Sequence, residues 1–241
     1  MPNDYFQFQQ FRVEQGACAM KVSTDACLLG AAADLTGATR LLDVGTGTGL
    51  LALMAAQRHA SVEIEAVEIA AAAAAQAAAN VAASPWASRI RVRALALADY
   101  AATRPAPFSH IICNPPFFRQ SLRSPDAART TARHEAAGTL SFEALAAFAA
   151  AFLHEHGLLT VLLPPTEMRA FEATARSGGL HPNTRLVVRH RPGSPPLRHI
   201  TGFRRGSGAT AETELTIRLA DNEHEYSADF RALLGGFYLA L

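Results

Sequence analysis

The sequence Asp43-Val44-Gly45-Thr46-Gly47-Thr48-Gly49 joins an apolar run at 40–44 to a helical pattern at 50–58. Glycines at alternate positions suit a tight turn from a strand into a helix, because glycine adopts positive φ and lets a ligand approach the backbone closely. The helix that follows would offer unpaired N–H groups to a polar ligand. The spacing departs from the dinucleotide-binding fingerprint, since the position that needs a third glycine holds Leu50.

Apolar runs of strand length alternate with helical patterns on both sides of this loop, which is typical of a parallel sheet covered by helices on both faces. The last third of the chain instead carries short runs separated by Gly/Pro/Ser loops, with no helix between the last two. That pattern predicts antiparallel pairing at the sheet edge. The predicted strands are 40–44, 62–68, 90–97, 109–113, 157–163, 186–188, 200–203 and 215–219, and the predicted helices are 50–58, 70–83 and 140–153.

The composition indicates one globular domain in the cytoplasm. The chain has 241 residues, of which 49% are hydrophobic, and a net charge of +1, which excludes a disordered chain. No apolar run is long enough to span a membrane, and the first residues do not resemble a signal peptide. Three cysteines without a C-x-x-C motif indicate reduced thiols. We expect a single domain, 1–241, divided into an N-terminal segment 1–39, a core 40–165 and a C-terminal part 166–241 that ends in a helix.

An acidic residue, Glu68, ends the second predicted strand of the core. At this position a carboxylate can accept hydrogen bonds from ribose hydroxyls. An Asp-x-Gly-x-Gly-x-Gly loop followed by such an acid is similar to class I S-adenosylmethionine-dependent methyltransferases. The resemblance implies a Rossmann-like, mostly parallel seven-stranded sheet with helices on both faces and an antiparallel edge. A glycine turn without a ligand and a nicotinamide or flavin dehydrogenase are the alternatives. The cofactor-binding residues implied are Asp43, Gly45, Thr46, Gly47, Gly49 and Glu68.

A second motif, Asn114-Pro115-Pro116-Phe117, follows the predicted strand 109–113, at the edge where open α/β sheets bind ligands. Two prolines stiffen the turn and hold Asn114 extended, so its side chain and the Pro115 carbonyl become fixed acceptors for an exocyclic amine. Gripping both N–H hydrogens favours a pyramidal nitrogen that can attack a methyl group, a form of polar preorganisation rather than base catalysis. Phe117 would stack on a flipped base. The alternative is a plain Pro-Pro turn. The motif resembles methyltransferases acting on amino groups of bases or glutamine amides.

Further segments narrow the resemblance. Taken with the two motifs, 11–15, 18–25, 28–30, 50–55 and 84–90 closely resemble bacterial tRNA (adenine-N6)-methyltransferases that modify valine tRNA at position 37. The match is good over residues 6–165 and looser beyond. It implies S-adenosylmethionine as methyl donor and a tRNA substrate. It also implies that Asn114, Pro115 and Phe117 meet the target base, with Asn114 also near the cofactor, and that the segment 1–39 caps the cofactor through Lys21, Thr24 and Asp25.

Two positions depart from the family pattern. The acid expected after the third core strand, near the cofactor adenine, falls on Ala96, and Asp99 is the candidate to replace it. The alternative for Asp99 is an ordinary acid at the start of a helix. Ser23 stands where the N-terminal segment of the family has a glycine.

Arginines cluster in two acid-poor stretches. No Asp or Glu occurs between Ala173 and Ala211, and arginines also follow the Asn-Pro-Pro-Phe motif. Guanidinium groups suit phosphate binding and base stacking, so we expect RNA contacts here, with a solvated surface as the alternative. The arginines concerned are Arg119, Arg123, Arg129, Arg133, Arg176, Arg185, Arg189, Arg191, Arg198, Arg204 and Arg205.

Other substrates and another class of function remain open at this point. An amino group in ribosomal RNA or DNA, or a glutamine amide in a protein, could take the methyl group. Protein-glutamine methylators would be expected to carry a helical N-terminal domain, for which the segment 1–39 is short. A catalytically silent RNA-binding module is the non-enzyme alternative. No metal-ligand spacing is found among the histidines, so we expect no metal, and we expect a monomer.

Overall fold

The computed structural model describes residues 4–18, 20–115, 140–219 and 225–240, and this part of the chain contains ten strands and seven α-helices, which alternate from α1 to β8. The strands are β1 (Tyr5–Gln7), β2 (Arg12–Glu14), β3 (Arg40–Val44), β4 (Glu63–Glu68), β5 (Ile90–Ala94), β6 (Phe108–Cys113), β7 (Leu153–Leu163), β8 (Leu180–Arg189), β9 (Pro196–Arg205) and β10 (Ala211–Thr216). The helices are α1 (Thr24–Ala32), α2 (Leu50–Arg58), α3 (Ala71–Ala82), α4 (Leu97–Ala102), α5 (Phe142–Phe152), α6 (Pro165–Ser177) and α7 (Ala228–Leu234).

Eight of these strands form one sheet in the order β10-β8-β9-β7-β6-β3-β4-β5. The pairing is parallel except at β9, which is antiparallel to both of its neighbours. The two remaining strands, β1 and β2, form a separate antiparallel hairpin. A mostly parallel α/β sheet is therefore confirmed, with eight strands instead of the seven expected.

Antiparallel pairing in the last third of the chain is confirmed at β9, but the last strand, β10, does not share it. β9 has β7 on one side and β8 on the other, so a strand that follows it can join the sheet only outside β8. The short segment 206–210 crosses the end of β8, and β10 then runs parallel to β8 from Ala211 to Thr216. The sequence pattern does not reveal this, because a short connection normally indicates an antiparallel neighbour.

Helix α6 is a second difference from the sequence pattern. The sequence pattern predicts no helix after the strand 157–163, but Pro165 opens one. Proline is tolerated there because the first N–H of a helix has no intrahelical partner. The predicted strand 90–97 is also shorter than expected, since β5 ends at Ala94 and α4 begins at Leu97.

Helices cover both faces of the sheet, as the sequence pattern predicts. Alternate residues of one strand point to opposite faces, so Leu41 packs with the layer of α1, α2, α3 and α7, while Leu42 packs with the layer of α4, α5 and α6. Each fully buried leucine contributes about 1.5–3 kcal/mol through the apolar surface it removes from water. Among the residues described, no helix has both the length and the apolar character needed to span a membrane.

Replacing Thr201 by valine is expected to stabilise the fold. Thr201 lies in β9 with no exposed surface, and its Oγ1 has no hydrogen-bond partner among the described residues. A buried hydroxyl without a partner costs roughly 1–3 kcal/mol, so Thr201→Val should raise the free energy of unfolding by about 1 kcal/mol in urea titrations.

Ser227→Ala is the matched control, because the Ser227 hydroxyl donates to the Thr216 carbonyl and accepts from the Phe230 N–H. It should lower the free energy of unfolding by about 1 kcal/mol. A loss of stability in Thr201→Val similar to that of the control would contradict the assignment.

Candidate active site

Three neighbouring parallel strands end at one level of the sheet edge. Val44, the last residue of β3, is in register with Val67 of β4 and with Cys113 of β6. The glycine loop after β3, Glu68 at the end of β4 and Asn114 after β6 therefore lie side by side. This is the edge where ligands bind in open α/β sheets.

The glycine loop has the conformation that its composition predicts. Gly45, Gly47 and Gly49 all have positive φ, of 70°, 56° and 84°, which side chains other than glycine adopt only with strain. The N–H groups of Gly45 and Thr46 donate to the Val67 carbonyl at 2.9 and 3.1 Å and so tie the loop to β4. A Cβ atom added at Gly45 or Gly47 would meet nothing within 4 Å, whereas Gly49 packs against Ala77 of α3. Gly45 and Gly47 thus border open space.

Glu68 is oriented by backbone groups. Its Oε2 accepts a hydrogen bond from the Gly47 N–H at 2.9 Å, and its Oε1 accepts one from the Ala70 N–H at 3.0 Å. Each carboxylate oxygen can accept a further bond. The carboxylate therefore braces the loop and can still accept hydrogen bonds from a ligand.

Asp43 lies beneath the loop and has no exposed surface. The Thr46 hydroxyl donates to its Oδ2. Burial raises the pKa of Asp43 to about 7, and the Glu68 charge acts in the same direction, while the Thr46 hydroxyl and the Ala52 N–H at the start of α2 partly offset them. The structure thus gives Asp43 a supporting position under the turn, and a direct contact with a cofactor stays a prediction for it and for Thr46.

Two open cavities flank Gly45. One, of about 240 Å³, is lined mainly by apolar side chains, including Ile69 and Leu97, with the Glu68 carboxylate among them. The other, of about 290 Å³, is lined by the glycine loop, Lys21 and Asn114. The loop residues, Glu68, Lys21 and Asn114 are thus brought to one composite site.

The N-terminal segment reaches this site through Lys21. Thr24 is exposed, and neither it nor Asp25 is among the residues that line the two cavities. Asp25 instead accepts a hydrogen bond from Arg198 Nε at 2.7 Å, which ties the start of α1 to β9. Cofactor contacts by Thr24 and Asp25 remain predictions, and the structure gives Asp25 a tethering role.

Asn80 is a structural residue of the site that the sequence reading did not single out. It is buried in α3, where its Nδ2 donates to the carbonyls of Thr48 and Glu14 at 2.9 and 2.8 Å. Its Oδ1 accepts from the Glu14 N–H at 2.9 Å. One amide therefore joins the glycine loop to the N-terminal hairpin. The signal in the sequence was an asparagine in a helix made almost entirely of alanine.

Gln15 continues this connection toward Lys21. The Gln15 side chain is buried, and its Oε1 accepts a hydrogen bond from the Val22 N–H at 2.8 Å. This closes the loop between β2 and α1 over the cavity that Lys21 lines. The Ser23 hydroxyl then accepts from the Ala26 N–H at the start of α1, so serine in place of the family glycine supplies a helix cap.

Asn114 presents an unused acceptor. The residue is half-buried, and its Oδ1 is buried without a hydrogen-bond partner among the described residues. Pro115 is buried directly after it. Phe117 lies outside the described residues, as do Arg119, Arg123, Arg129 and Arg133.

Asp99 is exposed on the first turn of α4. The neighbouring Ala96 and Ala98 line the smaller cavity, and Asp99 does not. Its position is that of an acid at a helix start, which favours the alternative given from the sequence. A contact between Asp99 and the cofactor stays a prediction.

The stretch 173–211 contains no Asp or Glu, but acidic residues from other elements lie next to its arginines in the folded structure. Parallel pairing places Glu212 and Glu214 of β10 beside β8, where they bind Arg185 and Arg189 at 3.2 and 2.7 Å. Arg185 also binds Glu172 of α6. Acids from other elements thus pair with these arginines and with Arg198, and RNA contacts by these residues stay a prediction. No group of His, Cys, Asp and Glu suited to a metal occurs in the described part of the chain.

Comparisons with known proteins agree with this geometry. The methyltransferase small domain family matches residues 19–163. A tRNA1(Val) (adenine(37)-N6)-methyltransferase of Phocaeicola vulgatus is 43% identical over 239 residues, 99% of each chain. The enzyme of that name from Pseudoalteromonas translucida is 41% identical over 236 residues, 98% of this chain and 99% of its own.

Among solved structures, one described as a predicted O-methyltransferase from Agrobacterium tumefaciens matches with a TM-score of 0.67 and 24% identity, over 88% of this chain and 96% of that one. A ribosomal protein L11 methylase from Lactobacillus delbrueckii matches with a TM-score of 0.52 and 15% identity, over 80% and 84% of the two chains. At these identities the likeness concerns the fold, which is that of class I methyltransferases.

The buried Asp43 makes stability depend on pH. Its pKa of about 7 lies above the value near 4 of an unfolded chain, so between these pH values the folded state keeps a proton that the unfolded state releases. Stability conferred by this residue is therefore lost as the pH rises. In Asp43→Asn the side chain does not titrate. The wild-type protein therefore loses stability relative to the Asp43→Asn variant as the pH rises. The free energy of unfolding of the variant minus that of wild type should increase by about 2–4 kcal/mol from about pH 4 to pH 7 and then level off. Urea titrations over this range measure the difference, and parallel pH profiles would refute the assignment.

Loss of the Asn80 amide should lower both the stability of the fold and the affinity of the site for the cofactor. Asn80→Ala leaves the Thr48 carbonyl and the Glu14 backbone groups without their partner, which should cost about 2–4 kcal/mol. Binding of S-adenosylmethionine, measured by calorimetry well below the melting temperature, should weaken as well. Gln76→Ala in the same helix is the control, with a change of about 0.5 kcal/mol or less. Equal stability and equal affinity in the two variants would contradict the role of Asn80.

Proposed function

The chain belongs to the methyltransferase small domain family, among the bacterial tRNA1(Val) (adenine(37)-N6)-methyltransferases, and we propose that it methylates the exocyclic N6 of an adenine in tRNA with S-adenosylmethionine as donor. The target that the relatives' names give is adenine 37 of a valine tRNA. The observation that carries the proposal is the buried Asn114 Oδ1, which has no hydrogen-bond partner among the described residues, beside a glycine loop that borders open space.

The residues at the sheet edge fit S-adenosylmethionine. Its nucleoside has a flat aromatic base, whose faces suit apolar walls, and ribose hydroxyls, and the smaller cavity offers such walls with the Glu68 carboxylate. Its amino-acid part is polar and carries a carboxylate, and the larger cavity offers Lys21 and the loop backbone. We assign Gly45, Gly47, Glu68 and Lys21 to binding the cofactor. We assign Asn114, which lines the larger cavity, to binding the substrate amine next to the cofactor. When bound, the cofactor supplies an electrophilic methyl group on a sulfonium.

Asn114 activates the amine through hydrogen bonding alone. The lone pair of adenine N6 is delocalised into the ring, which makes the amine a weak nucleophile. Acceptors at Asn114 Oδ1 and the Pro115 carbonyl would hold both hydrogens and favour a pyramidal nitrogen. An asparagine cannot take up the proton at neutral pH, so its contribution is preorganised polarity. Burial strengthens this effect, because an acceptor without a partner in a low dielectric gains most from a donor.

The chain itself supplies the rigidity that this chemistry requires. Asn114 follows the buried strand β6 directly, and Pro115 restricts Asn114 to an extended conformation. The acceptor therefore keeps its direction before the substrate arrives, which avoids a reorganisation cost during the reaction. We assign Phe117 to stacking on the flipped base, on the strength of the motif alone.

We further propose that one copy of the chain suffices and that it acts as a single domain, 1–241, in the cytoplasm. Contacts between the chain ends support a single unit, since Phe8 forms a bridge with Tyr238 and Gln9 donates to the carbonyls of Gly235 and Tyr238. The proposed tRNA substrate supports a cytoplasmic location, because tRNA is found in that compartment.

Transfer of a labelled methyl group tests the function. The protein is incubated with labelled S-adenosylmethionine and total tRNA from cells lacking this modification, and the nucleosides are then separated. Label should appear in N6-methyladenosine of valine tRNA. Label in ribosomal RNA, DNA or a glutamine-containing peptide, but not in tRNA, would contradict the proposal.

Asn114→Ala should separate chemistry from binding. Because Asn114 acts mainly on the amine in the transition state, kcat should fall by about 10²–10³ while the Kd for S-adenosylmethionine changes little. Asn183→Ala, in β8, removes the same side chain at the opposite end of the sheet and should leave kcat unchanged. Single-turnover rates and calorimetry measure the two quantities. Wild-type turnover in Asn114→Ala would refute the role.

A further inference from the structure

The β8–β9 hairpin projects beyond the edge at which Asn114 lies. The last residue of β7, Leu163, is in register with His199, yet β9 begins at Pro196 and the connecting turn occupies 190–195. Asn114 follows Cys113, which is in register with Val161 of β7, so it lies near the foot of this projection. At about 3.3 Å per residue, the hairpin extends roughly 15 Å past the strand ends. It forms a wall beside the candidate active site.

The tip of the hairpin is rigid. Ser194 closes the turn, because its N–H and hydroxyl donate to the Arg191 carbonyl at 3.1 and 2.8 Å and its Oγ accepts from the Arg191 N–H at 3.2 Å. Arg189 Nη1 donates to the Ser194 carbonyl at 2.6 Å, and Gly193 supplies the positive φ of 75°. A turn braced in this way fixes the backbone from which its exposed side chains project, so binding does not have to order that backbone.

The strand extension beside the turn adds further support. Ile217 and Arg218 donate their N–H groups to the carbonyls of Arg189 and His190, both at 2.9 Å. The projection is therefore three strands wide at its base, and it does not depend on a partner for its shape.

Charge is distributed unequally along this wall. Arg189 and Arg198 are held in ion pairs with Glu214 and Asp25, both at 2.7 Å. Arg191 is exposed at the tip, and its guanidinium forms no hydrogen bond or ion pair with any described residue. His190 is exposed next to it. The acids near the base of the wall are thus engaged, and the tip presents a cation to solvent.

We propose that this tip, residues 190–195 with Arg191 at its centre, contacts the sugar–phosphate backbone of the RNA substrate near the target base. This inference rests on the proposed function. β9 lies two strands from β6, about 10 Å away, so the wall stands within the span of a few nucleotides from a base held at Asn114. A flipped base leaves its flanking phosphates outside the pocket, where an exposed guanidinium can bind them.

The same geometry places the arginines at the two ends of the stretch, Arg176, Arg204 and Arg205, too far from Asn114 to contact RNA near the target base. β9 runs antiparallel to its neighbours and ends at Arg205, and α6 returns from the strand ends to finish at Ser177. Arg176, Arg204 and Arg205 therefore lie toward the opposite edge of the sheet from Asn114. Arg176, which is exposed and forms an ion pair with Glu172 at 3.8 Å, serves as a control for the loss of one positive charge at that opposite edge.

Salt-dependent RNA binding tests the proposal. The Kd for valine tRNA is measured by filter binding from about 50 to 300 mM KCl for wild type, Arg191→Ala, Arg191→Lys and Arg176→Ala. Arg191→Ala should weaken binding by about 3–10-fold and lower the slope of log Kd against log salt by about 0.7–0.9, for one lost phosphate contact. Arg191→Lys should keep the wild-type slope, and so should Arg176→Ala. All four proteins should bind S-adenosylmethionine equally.

The outcomes separate the two proposals. An unchanged slope and Kd in Arg191→Ala, with wild-type protein that methylates tRNA, would overturn the hairpin contact and leave the function intact. An equal loss in Arg176→Ala would also overturn it, because the effect would then be one of net charge. Wild-type protein that binds tRNA with the expected dependence on Arg191 but methylates another substrate would contradict the function alone. Absence of tRNA binding by wild-type protein would overturn both.

Discussion

Parallel pairing of β3 with β4 on one side and β6 on the other is the constraint on which the site depends. Because the three strands end at one level, the glycine loop, Glu68 and Asn114 meet without any long-range adjustment of loops. Each element then adds what its residue type allows: positive φ at the glycines, a carboxylate oriented by two N–H groups, and an amide oxygen that has no hydrogen-bond partner among the described residues. The proposed methyl transfer depends on these three features lying side by side at this edge of the sheet.

The two ends of the chain stabilise the edge from outside the sheet. Asn80 binds the N-terminal hairpin to the glycine loop, and Gln15 shapes the segment that carries Lys21. The C-terminal residues in turn bind the hairpin through Gln9, and they bind helix α2 through Gln57, which donates to the Gly236 carbonyl at 2.8 Å. The buried amide of Asn80 is suited to its junction because it both donates and accepts, so three backbone groups are satisfied by one side chain.

Local patterns in the sequence predicted the elements whose conformation depends on interactions between residues close together in the chain. The glycine loop, α2 and the motif at Asn114 were found because turn chemistry and periodicity act over a few residues. The parallel placement of β10 and the ion pairs of Arg185 and Arg189 were missed, since they depend on which strands become neighbours. Asn80 illustrates the same limit, because its three partners lie far away in sequence. Charge counted along the chain likewise differed from charge in space, and the topology was needed to show that Arg191 lies exposed at the hairpin tip.

The most direct test of the account is a structure of the protein with S-adenosylhomocysteine and the anticodon stem-loop of valine tRNA. The account predicts that adenine N6 lies about 3 Å from Asn114 Oδ1 and from the Pro115 carbonyl, with the cofactor product between Lys21 and the glycine loop. A base bound elsewhere, with Asn114 Oδ1 bonded to another protein group, would contradict it.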